Sequence, residues 1–124
     1  MSEILFVSIG AILGANIRFK VHHKLGDLYL DKVFLILIIN TFASFFLGLF
    51  LSLLEQFRDF TYYYQLILFF SIGLLGSLST FSSFIYDLFD LCLKLKFLRA
   101  LKLFFISVSL GIISLAFGFL LGNQ

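Results

Sequence analysis

The chain has 124 residues, of which 61% are hydrophobic and 13% are charged. Soluble domains average about half apolar and a quarter charged residues, so the composition predicts an integral membrane protein with a single domain, 1–124. The formal net charge of +2 is too small to indicate a nucleic-acid-binding protein, and a lone cysteine, Cys92, excludes an intrachain disulfide and a cysteine-based metal cluster.

Four apolar segments follow one another along the chain, joined by short connections. They cover approximately 4–19, 33–54, 64–93 and 98–121. A helix of about 20 apolar residues spans the hydrocarbon core of a bilayer, and the third segment is longer than a straight span requires. We therefore expect an all-α membrane protein with four transmembrane helices in a compact bundle.

The first segment carries Gly10, Gly14 and Arg18 at successive steps of four residues, so they share one face of the predicted helix. The glycine pair lets a second backbone approach closely. An arginine within a span usually faces the protein interior or water, whereas one near the end of a short span can reach the interface. Both interpretations of Arg18 stay open. His22 and His23, which follow among lysines, are interpreted as a solvated loop.

The second segment carries Asn40, Ser44 and Gly48, which also share one helix face. An asparagine in lipid must find a hydrogen-bond partner, and its amide supplies two N–H donors and one acceptor. It predicts either a bond between helices or a donor that lines an anion path. In the fourth segment, Ser107 belongs to a stripe of small residues, for which close helix packing is the simplest interpretation.

The third segment contains the stretch 73–84, Gly-Leu-Leu-Gly-Ser-Leu-Ser-Thr-Phe-Ser-Ser-Phe. Glycine weakens a helix, and serine and threonine side chains offer the backbone other hydrogen-bond partners. This composition predicts a helix that is broken at membrane depth, where protein or a water-lined cavity must satisfy the backbone. Such breaks offer carbonyls to cations and helix ends to anions. We interpret the break as the functional centre of an ion-conducting protein.

Two phenylalanines and an aspartate follow the break on one helix. Phe81 and Phe84 are three residues apart and project from nearly the same face. Phenylalanine in a membrane helix is by default filler, but the edge of its ring carries positive potential and can meet a small anion in a dry pore. Asp87 follows three residues after Phe84, and from the residues alone it is interpreted as ordinary interfacial polarity.

The sequence from Gly76 to Phe84, Gly-Ser-Leu-Ser-Thr-Phe-Ser-Ser-Phe, resembles the Gly-Gly-x-Thr-Thr-Phe-Ser-Thr-Phe signature of the CrcB/Fluc fluoride channels. The resemblance extends to 10–19, 40–48 and 107–111. Ser77 stands where the family has Gly, and Leu103 stands where it often has Tyr. The resemblance implies a fluoride-specific channel, not an enzyme, that passively exports fluoride and lowers its concentration in the cytoplasm.

The same resemblance assigns roles to individual residues. It implies that Phe81 and Phe84 contact fluoride with their ring edges. It also implies a structural Na⁺, not transported, that is held by the backbone carbonyls of Gly76 and Ser79. The other residues of the implied ion pathway are Asn40, Ser82, Ser83, Ser107, Arg18 and Asp87, the last in the place of a family Glu at the pore mouth.

The charge distribution predicts an orientation in the membrane. Lysine and arginine number four around the first loop and four around the third, whereas Arg58 alone marks the second. The positive-inside rule then places the first and third loops in the cytoplasm and both termini outside. We expect a multi-pass protein of the inner cell membrane.

The resemblance implies an antiparallel dimer of oppositely oriented subunits. Because the charge bias is strong, we expect this chain to insert mainly one way and to pair with a homologue of opposite bias. A dual-topology homodimer stays open.

Two alternatives remain. Small four-helix exporters that couple transport to protons share this size, but they need a carboxylate in the core of the first helix. The only acid near that helix is Glu3, at its start. The other alternative is a non-conducting partner subunit of a heterodimeric channel, which the Asn40, Phe81 and Phe84 set argues against.

Overall fold

The structure, a computed structural model, describes residues 2–26 and 31–124. These residues form five helices. They are α1 (Ser2–Gly26), α2 (Lys32–Glu55), α3 (63–78), α4 (Phe81–Leu93) and α5 (Phe97–Gly122). Helices α3 and α4 together form one candidate span, Tyr63–Leu93, and α1, α2 and α5 are each long and apolar enough to cross a membrane. The predicted all-α architecture with four spans and an interrupted third helix is confirmed.

Helix α1 is longer than the sequence predicted. It continues past Arg18 to Gly26, so the interpretation of His22 and His23 as a loop was wrong. The backbone hydrogen bonds of a helix are internal, so polar side chains can extend it beyond the apolar segment. Basic residues are also favourable in the last turn, where the helix dipole is negative, and that turn contains His23 and Lys24.

Helices α2 and α5 run parallel and touch through their backbones. A Cβ atom added to Gly48 would overlap the carbonyl oxygen of Leu115, and one added to Gly118 would overlap that of Phe45. Membrane helices gain no hydrophobic free energy from each other, so they associate through close packing of this kind. The small-residue stripe of α5 is therefore the packing surface for α2.

Helix α1 packs just as closely against α3. The glycine pair predicted to admit a second backbone does so, because added Cβ atoms at Gly10 and Gly14 would overlap the carbonyl oxygens of Phe69 and Leu74. Ser77 lies directly against Gly14 and donates its hydroxyl hydrogen to the Leu74 carbonyl, 3.1 Å away. Serine at position 77 is thus accommodated by a glycine opposite and a bond within its own helix.

Most of α3 has π-helical hydrogen bonding, which the sequence did not predict. The segment Ile67–Leu75 is π-helical, between an α-helical turn at Tyr63–Leu66 and a short one at Gly76–Leu78. Long π-helical segments are rare and often occur near functional sites. Here the segment lies against the glycine face of α1 and leads directly to the break.

The break lies at Ser79 and Thr80. Both have extended backbone, with φ/ψ of −70°/152° at Ser79 and −137°/105° at Thr80. Gly76 remains helical, with φ of −63°. The predicted break is therefore present, but hydroxyl residues and not the glycine form it.

The contact between α2 and α5 predicts a strong effect of one methyl group. We expect Gly48→Ala to lower the free energy of unfolding by about 1–3 kcal/mol, because the added Cβ meets backbone that cannot move away cheaply. Gly111→Ala is the matched control on the facing helix, since its Cβ would lie 3.6 Å from the Ser44 hydroxyl oxygen, an ordinary contact. Equal stability of the two variants in detergent unfolding experiments would contradict this packing.

Candidate functional site

Asn40 of α2 holds the extended backbone of the break. Its Oδ1 accepts a hydrogen bond from the Thr80 backbone N–H at 2.8 Å, and its Nδ2 donates to the Thr80 carbonyl at 3.3 Å. Thr80 is only 4% exposed. One amide side chain thus satisfies both backbone groups of a buried residue that no helix satisfies. Asparagine fits because it carries a donor and an acceptor side by side.

This bond does not use the whole Asn40 amide. The side chain has two N–H donors, and the Thr80 carbonyl takes one. Within the described ranges, its hydrogen bonds go only to Thr80. The helix–helix bond and the pathway donor that the sequence offered as alternatives are therefore compatible, since one N–H remains for a ligand.

Thr80 also starts helix α4. Its Oγ1 accepts from the Ser83 backbone N–H at 3.3 Å and donates to the Ser83 Oγ at 2.9 Å. This is an N-cap, which fixes where the helix begins. The positive end of the α4 dipole consequently faces the break, and the exposed Ser82 lies in the same first turn.

Arg18 lies on the α1 face that packs against α3. Its Nη1 is 3.5 Å from the Ser79 carbonyl oxygen, and its side chain is partly buried. The close contact at Gly14, one turn earlier, orients α1 so that this arginine points at the break. The structure therefore places a positive charge beside the unwound backbone and not at an outward, lipid-facing position.

Phe81 and Phe84 differ in their surroundings. Their ring centroids are 6.3 Å apart with the planes inclined by 48°. Phe81 is 75% exposed, whereas Phe84 is 9% exposed and also stacks against Phe104 of α5. The Phe81 side chain thus points away from the rest of its chain, whereas the Phe84 side chain is buried against α5.

Ser107 lies at the level of Asn40. An added Cβ on Gly111 would meet the hydroxyl of Ser44, and one turn earlier on the same parallel helices come Ser107 and Asn40. The Ser107 Oγ is buried and has no hydrogen-bond partner within the described part of the chain. A buried hydroxyl without a partner is costly. The Ser52 and Ser71 hydroxyls and the Gln65 Oε1 are in the same state, so it is the position of Ser107 level with Asn40 that makes its hydroxyl a candidate ligand contact.

A cavity of about 460 Å³ opens beside the start of α4. Asp87 contributes to its wall together with two residues that the sequence analysis did not select, His22 and Lys32. The other lining residues are Ile36, Ser82, Ser83 and Tyr86. A second cavity of about 730 Å³ shares His22, Lys32, Tyr86 and Asp87 with it. In the sequence, His22 stands one helical turn after Arg18. That spacing indicates a shared helix face only if the helix continues past Arg18, which the sequence analysis did not predict.

The carbonyls of Gly76 and Ser79 lie at the end of α3. The Gly76 oxygen accepts from the Ser79 hydroxyl at 3.4 Å, and the Ser79 oxygen faces Arg18. Gly76 is exposed, and an added Cβ there would meet only one atom, at 3.8 Å. Backbone carbonyls at an unwound helix end suit Na⁺, but two oxygens on an open surface are too few to enclose a hard cation. In the ranges that the structure describes, no cluster of three acidic, histidine or cysteine side chains could hold a metal instead.

Comparison with known proteins gives a consistent result. The sequence model of the family described as "CrcB-like protein, Camphor Resistance (CrcB)" matches residues 5–119. "Fluoride-specific ion channel FluC 2" of Prochlorococcus marinus is 81% identical over the full length of both chains. "Fluoride-specific ion channel FluC 1" of Parasynechococcus marenigrum is 36% identical over 97% of this chain and 93% of its own. The FluC protein of Ignicoccus hospitalis is 33% identical over 95% of this chain and 93% of its own.

The bond between Asn40 and Thr80 predicts a specific loss of stability. Asn40→Leu keeps the side-chain shape but leaves two buried backbone groups unpaired, so we expect the free energy of unfolding to fall by about 2–4 kcal/mol. Asn16→Leu is the matched control, because Asn16 is exposed and bonds only within its own helix, to the Ile12 carbonyl. Denaturation in detergent measures the loss, and faster hydrogen exchange at the Thr80 amide locates it. Two variants of equal stability would show that Asn40 does not hold the break.

Proposed function

The chain belongs to the CrcB-like protein family, and from this membership and the geometry of the break we propose that it is a fluoride-specific ion channel. This membership confirms the family that the stretch 76–84 indicated. The observation that carries the proposal is the 81% identity over the whole length to a protein named as a fluoride-specific channel. The channel passively exports fluoride and so lowers fluoride in the cytoplasm.

Fluoride holds its water tightly, so a narrow pathway must replace that water with other donors. The free Asn40 N–H and the unpartnered Ser107 hydroxyl, at the same level of the bundle, support such a pathway. Ser82 and Ser83 continue it towards the cavity at Asp87. The ring edges of Phe81 and Phe84 complete the contacts without adding a fixed charge that would bind the anion too strongly.

Positive potential at the break comes from two sources in this proposal. Arg18 supplies a guanidinium beside the Ser79 carbonyl. A structural Na⁺ would be held by the carbonyls of Gly76 and Ser79, and when bound it supplies a fixed positive charge without being transported. The open surface at Gly76 supports completion of this site by oxygens from a second subunit.

The second subunit is antiparallel in the proposed assembly, which sits in the inner cell membrane. The exposure of Phe81 and Gly76 supports a partner at this face. Because the charge bias favours one orientation, the partner is a homologue of opposite bias. The numbered names "FluC 2" and "FluC 1", from two different organisms, are consistent with more than one such chain in an organism.

Flux measurements test the proposed pathway. We expect Phe81→Ile to lower fluoride efflux from proteoliposomes by about tenfold or more, because an aliphatic side chain has no positive edge to offer the desolvated ion. Asn40→Asp should have a similar effect, since it puts a carboxylate beside the anion path. A fluoride electrode measures both.

Phe89→Ile serves as the control, because Phe89 is on the same helix and 61% exposed but two turns beyond Phe81. Undiminished efflux in the Phe81 and Asn40 variants, with wild-type protein active, would refute the assigned pathway.

Reporter fusions at the C-terminus test orientation. We expect the C-terminus outside the cytoplasm in most molecules, because the basic residues flank the first and third loops. Replacing Lys94 and Lys96 by Gln weakens that bias and should increase the opposite orientation. Equal populations of both orientations in the unaltered chain would instead favour the dual-topology homodimer.

A further inference from the structure

One large side chain interrupts the small-residue surface of α5. The surface that packs on α2 follows alternating steps of four and three residues, through Ser107, Gly111, Ser114 and Gly118. Ser114 donates its hydroxyl hydrogen to the Thr41 carbonyl at 2.9 Å, so it faces α2. The next step of the same pattern towards the N-terminus leads to Phe104. An aromatic ring thus continues a surface that is otherwise built from serine and glycine.

Phe104 meets the buried phenylalanine of the break. The ring centroids of Phe84 and Phe104 are 6.4 Å apart, and their planes are inclined by only 26°, which is a stacked arrangement. Phe105 packs edge to face on Phe104, with centroids 5.6 Å apart at 80°. A series of rings therefore runs from the break to α5, and Phe104 is the member that connects the two helices.

Packing against Phe104 limits how the Phe84 ring can turn. The face of a phenyl ring carries negative potential and its edge carries positive potential. At a centroid distance of 6.4 Å and an angle of 26°, the Phe104 ring is strongly offset from the Phe84 ring and packs beside it, which restricts rotation of the Phe84 ring about its Cβ–Cγ bond. Only the edge of a phenyl ring attracts an anion, so the direction in which the Phe84 edge is held matters.

We propose that Phe104 is a positioning residue that holds the Phe84 ring with its edge towards the fluoride path. This inference rests on the proposed function, since it specifies how one pathway residue is oriented. Phe104 acts through Phe84 and does not itself contact the ion. The neighbouring Leu103 has no polar atom, so at this level α5 contributes an aromatic surface and not a hydroxyl.

The test separates orientation of Phe84 from general packing. Phe104→Leu removes the stacked ring, and we expect the fluoride concentration that gives half-maximal flux to rise by about two- to tenfold. Phe104→Tyr keeps the ring and should behave like wild type. Phe105→Leu is the matched control, because Phe105 packs edge to face on Phe104 and has no aromatic contact with Phe84. Loss of correctly folded protein lowers the maximal flux but leaves the half-maximal concentration unchanged, so the two effects are distinct.

The possible results distinguish the role of Phe104 from the channel function. A raised half-maximal concentration in the Leu variant, rescued by Tyr, supports the inference. An unchanged value, or a fall in maximal flux alone, overturns it while leaving the channel function intact. Absence of fluoride flux in the wild-type protein would overturn the proposed function itself. If Phe104→Leu does not yield a single species in detergent, Phe104→Met, which preserves more of the volume, gives the same comparison.

Discussion

The structure depends on how the backbone N–H and C=O groups of two extended residues find hydrogen-bond partners at the centre of a membrane span. Ser79 and Thr80 lie midway along Tyr63–Leu93, where no water replaces a missing helical hydrogen bond. Each unpaired backbone group there costs about 1–3 kcal/mol or more, so the break exists only because neighbours supply partners. Asn40 pairs both backbone groups of Thr80, and the Thr80 side chain caps α4. The most polar part of the span thus has its backbone conformation fixed by hydrogen bonds from Asn40 and from the Thr80 side chain.

Close backbone packing brings those partners to the break. Gly14 lets α1 lie against α3, and this contact carries Arg18 to the Ser79 carbonyl. Gly48 does the same for α2 and α5, and this contact sets Ser107 level with Asn40. A larger residue at either glycine would separate the helices and withdraw a charge or a hydroxyl from the site. Small residues therefore determine the chemistry of the break without taking part in it.

The sequence predicted the number of spans and the interruption because both follow from local composition. Hydropathy fixes the spans, and a run of hydroxyl residues indicates the break. It did not predict that Ser79, and not Gly76, leaves the helix, because that choice depends on Asn40, which is 40 residues from Thr80 in the chain. The π-helical turns of α3 were also missed, because they lie against α1, a helix that is distant in the chain. His22 was misassigned because hydropathy reports where the lipid ends and not where the helix ends.

Two side chains at the level of the break keep hydrogen-bonding capacity that the described residues do not use. One Asn40 N–H and the Ser107 hydroxyl have no partner among the described residues, and Phe81 turns three quarters of its surface outward. In lipid, unsatisfied donors are costly, whereas in a dry pathway they are what a dehydrated anion requires. Two turns further along α5, the Ser114 hydroxyl donates to the Thr41 carbonyl. This contrast between two serines of one helix supports the proposed ion pathway at the level of Ser107 and close packing at the level of Ser114.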